Sequence, residues 1–465
     1  MAWQVVIAGG GFAGFYAARA LERLLPAQSA HVTLVNEANF LLYTPLLPGA
    51  AGATLDPRHV VVPLRSQLRR TDLVIGKVTG ADPARRVLGV KRIDGEPLEL
   101  AYDQLIVALG SVSRTLPIPG LAEHATGLKS LSDATALRNQ VLSCFDIAES
   151  LEDPVRRAEY LGFVFVGAGY AGVEGLAELQ DFAAQAIELY PRCRAQGMRW
   201  VLVEAKARIM QEVPESLSEF AERELRGRGI EVCTNTTLSA LSERSATLSA
   251  GGTVPARTVV WTAGVKPSPV IARLGLPLDR EGRVVVDRTM RVQEEAPNAR
   301  APKDAAPSDA TASAQRGTFA AHVWAIGDCA AVPDASRPGQ VCPPTAQHAI
   351  RQGRLAARNV AATLGGGQAK QFRYRTKGVV AELGRNKAVA ITLGIRWRGF
   401  PAWLIARTYH LLLMPGVGRR LRLLVDWNVA LLFGRDASSP GRLGSPTPLE
   451  HDELVAPPAA YEHGR

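Results

Sequence analysis

Trp3-Gln4-Val5-Val6-Ile7-Ala8-Gly9-Gly10-Gly11-Phe12-Ala13-Gly14 is a short apolar run closed by glycines, and the residues after it are helix formers as far as Pro26. A second apolar run, His31 to Val35, follows. Strand, glycine turn, helix and strand make a β-α-β unit, so a parallel sheet begins here. The pattern returns at Phe163-Val164-Phe165-Val166, which leads into Gly167-Ala168-Gly169-Tyr170-Ala171-Gly172, a helix from Val173 and a strand at Trp200 to Val203. Two such units predict an α/β chain with two Rossmann-like dinucleotide-binding domains.

The chemistry of the repeated loop follows from glycine itself. The first Gly makes the tight turn, the second admits a pyrophosphate against bare backbone, and the third lets helix and strand pack closely. The helix N-terminus then offers free N–H groups and the positive end of its dipole to the phosphates. In the first copy these positions are Gly9, Gly11 and Gly14, with Phe12 and Ala13 inside the loop and Glu37 at the end of the next strand as the ribose acceptor; Asn36 beside it leaves that contact open by one position. The second copy supplies Gly167, Gly169 and Gly172, with Glu204 closing its strand after a longer helix. An acid there accepts from a free 2'-hydroxyl and repels a 2'-phosphate, which favours NADH over NADPH. Lys206 and Arg208 read as ordinary surface charge. Two dinucleotide sites in one chain point to a resident flavin, FAD, in the first and a visiting NADH in the second, because hydride transfer needs both.

Composition narrows the setting. The chain has 465 residues, 47% hydrophobic and 21% charged, which suits two or three globular units. Its 54 Lys and Arg against 44 Asp and Glu leave a formal +10, suited to anionic surfaces. Cys144, Cys193, Cys233, Cys329 and Cys342 are odd in number and form no Cys-x-x-Cys, so a disulfide framework and a zinc motif are excluded, and no metal is expected. Phe40-Leu41-Leu42-Tyr43-Thr44 carries no cysteine pair, which excludes disulfide-reductase chemistry. A strand starting at Trp3 argues against a secretory leader. No stretch approaches the roughly 18 to 20 uncharged apolar residues of a membrane span, so any membrane contact is expected to be peripheral.

Further motifs resemble the two-dinucleotide-domain flavoproteins and, among them, the type II NADH:quinone oxidoreductases, single-chain non-pumping NADH dehydrogenases of respiratory membranes. Tyr43-Thr44-Pro45-Leu46-Leu47-Pro48 is similar to that family's loop behind the flavin, and Ile106-Val107-Ala108-Leu109-Gly110-Ser111 to its strand-to-loop crossover. Gly172-Val173-Glu174 with Glu178, Trp261-Thr262-Ala263-Gly264 and Ala325-Ile326-Gly327-Asp328-Cys329 extend the match over nearly the whole chain. The resemblance assigns Thr44, Gly110 and Asp328 to FAD, Gly264 to NADH, and Glu174 to the neighbourhood of the nicotinamide and a proton route. Pro344-Thr345-Ala346-Gln347 resembles the family's quinone helix, which implies a quinone site of Ala346, Gln347, Arg351 and Gln352, with Glu174, Gln347 and Arg351 as the catalytic set. Arg351 stands where a second Gln is usual, which opens an anionic acceptor as an alternative.

The expected organisation is residues 1–120 and 322–395 for the FAD domain in two parts, 121–290 for the NADH domain, 294–321 for a low-complexity insertion, and 436–465 for a loose tail. Residues 396–435 hold leucine and aromatic clusters among seven arginines and one acid, Asp426. They read as amphipathic helices lying in the headgroup plane, with a helix pair docked on the core or a homodimer face as alternatives. The expected protein is a peripheral flavoenzyme on the cytoplasmic side of the cell membrane, passing electrons from NADH through FAD to a membrane quinone. A sulfide:quinone oxidoreductase and an NADH-binding redox sensor are the competing readings. Nucleic acid is not an expected partner, since no recognisable nucleic-acid fold accompanies the basic charge.

Overall fold

A computed structural model describes residues 2–294, 320–376 and 378–439. The expected insertion at 294–321 lies, except at its ends, outside the described residues, as does the expected tail from residue 440 onward.

Two parallel sheets form the body. In the first, Val323–Ala325, Gln104–Val107, Trp3–Ala8, Ala30–Asn36 and Thr71–Asp82 lie side by side in parallel, and the antiparallel strands Val87–Arg92 and Pro97–Ala101 extend one edge. The central strands are buried on both faces, as a sheet flanked by helices requires: every residue of Gln104–Val107 is buried. The chain leaves this sheet after Gln104–Val107 and returns to it at Val323–Ala325, so the first unit is built from two separate stretches.

The intervening chain makes the second sheet, ordered Ala125–Gly127, Thr258–Trp261, Gly162–Val166, Arg199–Val203 and Ile230–Cys233, all parallel. Phe163 stacks on Trp200 with ring centroids 4.3 Å apart. Helix Leu131–Ser150 leads into this unit and starts at a capping box in which Ser130 and Asp133 satisfy each other's backbone N–H groups. The helix after the second glycine loop, Tyr170–Ala186, continues as a turn of 3₁₀ helix over Ile187–Leu189, which accounts for the long interval before Glu204.

Past the first sheet come helix Ala346–Leu364, capped by the Thr345 hydroxyl, and an antiparallel sheet of Gly378–Glu382, Ala388–Thr392 and Ile395–Gly399. Helices Phe400–Leu413 and Val417–Phe433 end the described chain. They dock one face on the body through Trp403, His410, Met414, Leu423 and Trp427, all buried, while Leu412, Val417, Leu421, Leu432 and Phe433 are exposed. The docked-helix and outward-apolar readings therefore describe opposite faces of one segment. Among the described residues no helix is long and apolar enough to cross a membrane.

Candidate functional site

The two glycine loops have the same internal construction. Gly9 and Gly167 take φ of +106° and +103°, which a side chain would strain. A Cβ on Gly14 would collide with the Gly9 carbonyl oxygen, and one on Gly172 with that of Gly167. A Cβ on Gly11 or Gly169 meets nothing within 4 Å, so these positions border open space at the helix N-termini, where a pyrophosphate fits. The strand-end residues also match: Asn36 Oδ1 accepts from Gly10 N–H at 2.8 Å, and Glu204 Oε2 from Ala168 N–H at 2.8 Å. Register sets Asn36 and Glu204 at equivalent places, one residue before Glu37. Glu37 is exposed and still lines the first cleft. Arg208 donates to the Val213 and Gln211 carbonyls, which ties its charge to its own loop.

The first cleft, about 430 Å³, brings together residues far apart in sequence: Gly9, Gly11, Phe12, Ala13, Glu37, Thr44, Gly110, Asp328 and Ala346 all line it. Gly14 acts behind the loop through packing. Ser111 and Lys129 also line the cleft: Ser111 Oγ donates to Asp328 Oδ2 at 2.7 Å and accepts from Lys129 Nζ at 3.1 Å. Lys129 was not legible in sequence, because nothing in the turn before helix Leu131–Ser150 marks it. A cleft that joins a bare-backbone phosphate cradle to a hydroxyl, an amine and a carboxylate fits FAD. Gly264, at φ +95°, follows Thr262, whose hydroxyl donates to the Gly167 carbonyl at 2.8 Å and braces the second loop.

The four residues expected at the quinone divide. Ala346 faces the cleft. Gln347 Nε2 donates to the Gly378 carbonyl at 3.1 Å, its Oε1 accepts from the Tyr374 hydroxyl at 2.7 Å, and the second amide N–H is left to donate elsewhere. Arg351 lies over the Tyr374 ring, 4.0 Å from its centroid, and donates to the Gln347 carbonyl at 2.9 Å, so it braces the Gln347–Tyr374 pair. Gln352 departs from expectation. One residue further round the helix it is buried, and its Oε1 accepts from Gly327 N–H at 2.7 Å, so it holds the Asp328 loop in place. Tyr374 is the residue that sequence reading missed here.

Glu174 and Glu178, one turn apart on helix Tyr170–Ala186, meet Glu382 around a cavity of about 20 Å³, room for a single water, closed by Arg407 and Trp427. The Glu382 N–H donates to Glu174 Oε1 at 3.0 Å. Burial pushes the Glu174 carboxyl up to about 8, reinforced by Glu382 and Glu178 and opposed by that N–H. Burial also pushes Glu382 up, against the pull of Arg407, whose Nε lies 3.8 Å from it. Glu178 is held by Thr54 Oγ1 at 2.7 Å and by Arg435 at 3.1 Å, and Arg435 reaches Asp181 at 3.6 Å. Two of the arginines that sequence assigned to a headgroup plane, Arg407 and Arg435, thus turn inward onto carboxylates, and Asp426 pairs with His59 at 2.6 Å.

Fold and site together define a flavoprotein that binds two dinucleotides, and residues 3–298 match the family model described as pyridine nucleotide-disulphide oxidoreductase. Type II NADH:quinone oxidoreductase Ndh of Mycobacterium tuberculosis is 30% identical over 443 residues, covering 93% of this chain and 89% of that one. The chain belongs to the type II NADH:quinone oxidoreductase family. A probable NADH dehydrogenase of Dictyostelium discoideum is 27% identical over 88% of this chain and 86% of its own. NDH2 from Plasmodium falciparum, solved in complex with NADH, superposes with a TM-score of 0.83 over 94% of this chain and 100% of that one; at 17% identity this is a likeness of fold.

Proposed function

We propose that this protein is a non-pumping NADH:quinone oxidoreductase. The observation that carries the reading is the convergence, in one cleft, of the first glycine loop, the Asp328 loop and the helix start at Pro344, Ala346 and Ala349. FAD, held by Gly9 to Gly14, Gly110 and Asp328, supplies when bound the two-electron chemistry that links NADH to a quinone. Gly167 to Gly172 and Glu204 bind NADH and select against a 2'-phosphate. Gln347, fixed by Tyr374 and Arg351, offers its free amide N–H to a quinone carbonyl. Glu174 holds a proton near neutral pH, the state a proton donor to a reduced quinone needs.

The names of the Mycobacterium and Dictyostelium relatives support this reading. The sulfide alternative needs reactive thiolates, whereas burial pushes the Cys144, Cys329 and Cys342 thiols up to about 11. Peripheral attachment to an anionic membrane surface is supported by the exposed leucines of the last two helices and by the exposed Arg396, Arg398 and Arg422. A homodimer through the same apolar face is the competing use, separated from it by sedimentation in the absence of lipid.

The test is anaerobic: NADH is added to the yellow holoenzyme, then a short-chain quinone. Rapid bleaching and rapid quinone-dependent recovery are expected, with NADPH slower. Bleaching without recovery overturns the quinone half and returns an anionic acceptor or a sensor role.

A further inference from the structure

Arg19 and Arg23 stand one turn apart on helix Phe12–Leu24, and Arg354 and Arg358 one turn apart on helix Ala346–Leu364. The helices pack closely; a Cβ on Gly353 would collide with the Ala13 carbonyl. Both arginine pairs line one cleft of about 300 Å³, floored by the buried Tyr16. This volume is at the lower end of small-molecule sites, about 300 to 1,000 Å³.

The charge in this cleft is uncompensated. Among the described residues, none of the four arginines makes an ion pair or hydrogen bond, and Arg354 lies over the Tyr16 ring, 4.9 Å from its centroid. Glu22, on the same helix, is spent elsewhere, accepting from Arg70 N–H, Thr71 N–H and the Thr71 hydroxyl through Oε1. The cleft is open to solvent, with Arg23, Arg354 and Arg358 exposed and Arg19 half-buried, unlike the buried and acid-paired Arg435 and Arg228. Four like charges around one concavity focus a positive potential there, which a bound anion offsets. Guanidinium forks match phosphate oxygens two at a time, and a phosphate offers enough oxygens for several forks, where a single carboxylate satisfies one.

We propose that the Arg19, Arg23, Arg354 and Arg358 cleft is a binding site for a phosphate-bearing anion, separate from both dinucleotide loops. Arg420, on helix Val417–Phe433, acts on the Tyr16 hydroxyl in the same direction as Arg354 and Arg19. A phospholipid headgroup and a free phosphate compound share the required chemistry. The site does not depend on the quinone reading, and quinone turnover measured on the same preparations keeps the two separable.

The experiment compares wild-type holoenzyme with Arg19→Ala/Arg354→Ala and Arg23→Ala/Arg358→Ala, and with Arg156→Ala/Arg223→Ala as a charge-matched control on exposed residues of the second unit. One arm titrates inorganic phosphate by calorimetry at constant ionic strength. The other measures flotation with phosphatidylcholine vesicles with and without phosphatidylglycerol. Saturable binding in either arm, weakened about tenfold or more in both cleft variants but not in the control, is expected; a response to phosphate alone identifies a free anion, and one to vesicles alone a headgroup. No binding in either arm, or equal weakening in cleft and control variants, overturns the proposal.

Discussion

The backbone N–H of Glu382 donates to the carboxylate of Glu174 at 3.0 Å, joining the helix after the second glycine loop to a strand of the C-terminal sheet. Burial keeps the Glu174 proton on to about 8, whereas an unperturbed glutamate releases it near 4.5. Between those values the folded state holds a proton that the unfolded state has lost, so stability falls as pH rises through the window. The penalty is absent below about 4.5 and complete above about 8. Melting of the holoenzyme at about pH 5 and about pH 8.5 is expected to show this loss, and Glu174→Gln to reduce it, the remainder coming from Glu382, which burial also pushes up.

Gly169 and Gly172 sit three residues apart and predict opposite phenotypes. Gly172→Ala drives a Cβ into the Gly167 carbonyl and to 2.7 Å from the Thr262 hydroxyl, and is expected to cost about 1 to 3 kcal/mol in a denaturant titration. Gly169→Ala has open space for its methyl, so its melting temperature stays at the wild-type value while KM for NADH rises about tenfold or more.

Glu204 accepts from Ala168 N–H at 2.8 Å and Lys206 N–H at 3.0 Å, which fixes the carboxylate at the end of its strand. Glu204→Ala is expected to lower kcat/KM for NADH by about tenfold or more and to leave NADPH less affected. Steady-state kinetics with both nucleotides would read the ratio; an unchanged ratio places the ribose contact elsewhere.

Arg435 neutralises two buried acids, 3.1 Å from Glu178 and 3.6 Å from Asp181. Arg435→Met leaves both without this partner and is expected to destabilise the protein by about 3 to 5 kcal/mol. Chemical denaturation measures it, with limited proteolysis of the last helix as an independent readout.

Leu432 and Phe433 are 72% and 82% exposed, so the body does not need them for its own packing. The double variant Leu432→Glu/Phe433→Glu is expected to keep the wild-type melting temperature and NADH bleaching while moving from the membrane to the supernatant on fractionation.

Sequence alone was sufficient for the two β-α-β units, their glycine positions and the strand-end acid Glu204. These are local: a loop that must bend with φ near +105° and admit a backbone-bound phosphate needs glycine whatever surrounds it. The Ala346-Gln347 helix start was legible for the same reason, a motif whose spacing is set by one helix. Only the tertiary structure decided how each side chain around those motifs is spent. Neighbouring positions on a helix point about 100° apart, so Arg351 and Gln352 diverge, one onto Tyr374 and the other onto the Gly327 N–H. The inward turn of Arg407 and Arg435 depends on Glu382 and Glu178, which lie on other elements, and so do the partners of Lys129 in the flavin cleft. Charge is countable from composition, but pairing is a property of distance, and distance between residues hundreds of positions apart exists only once the chain has folded.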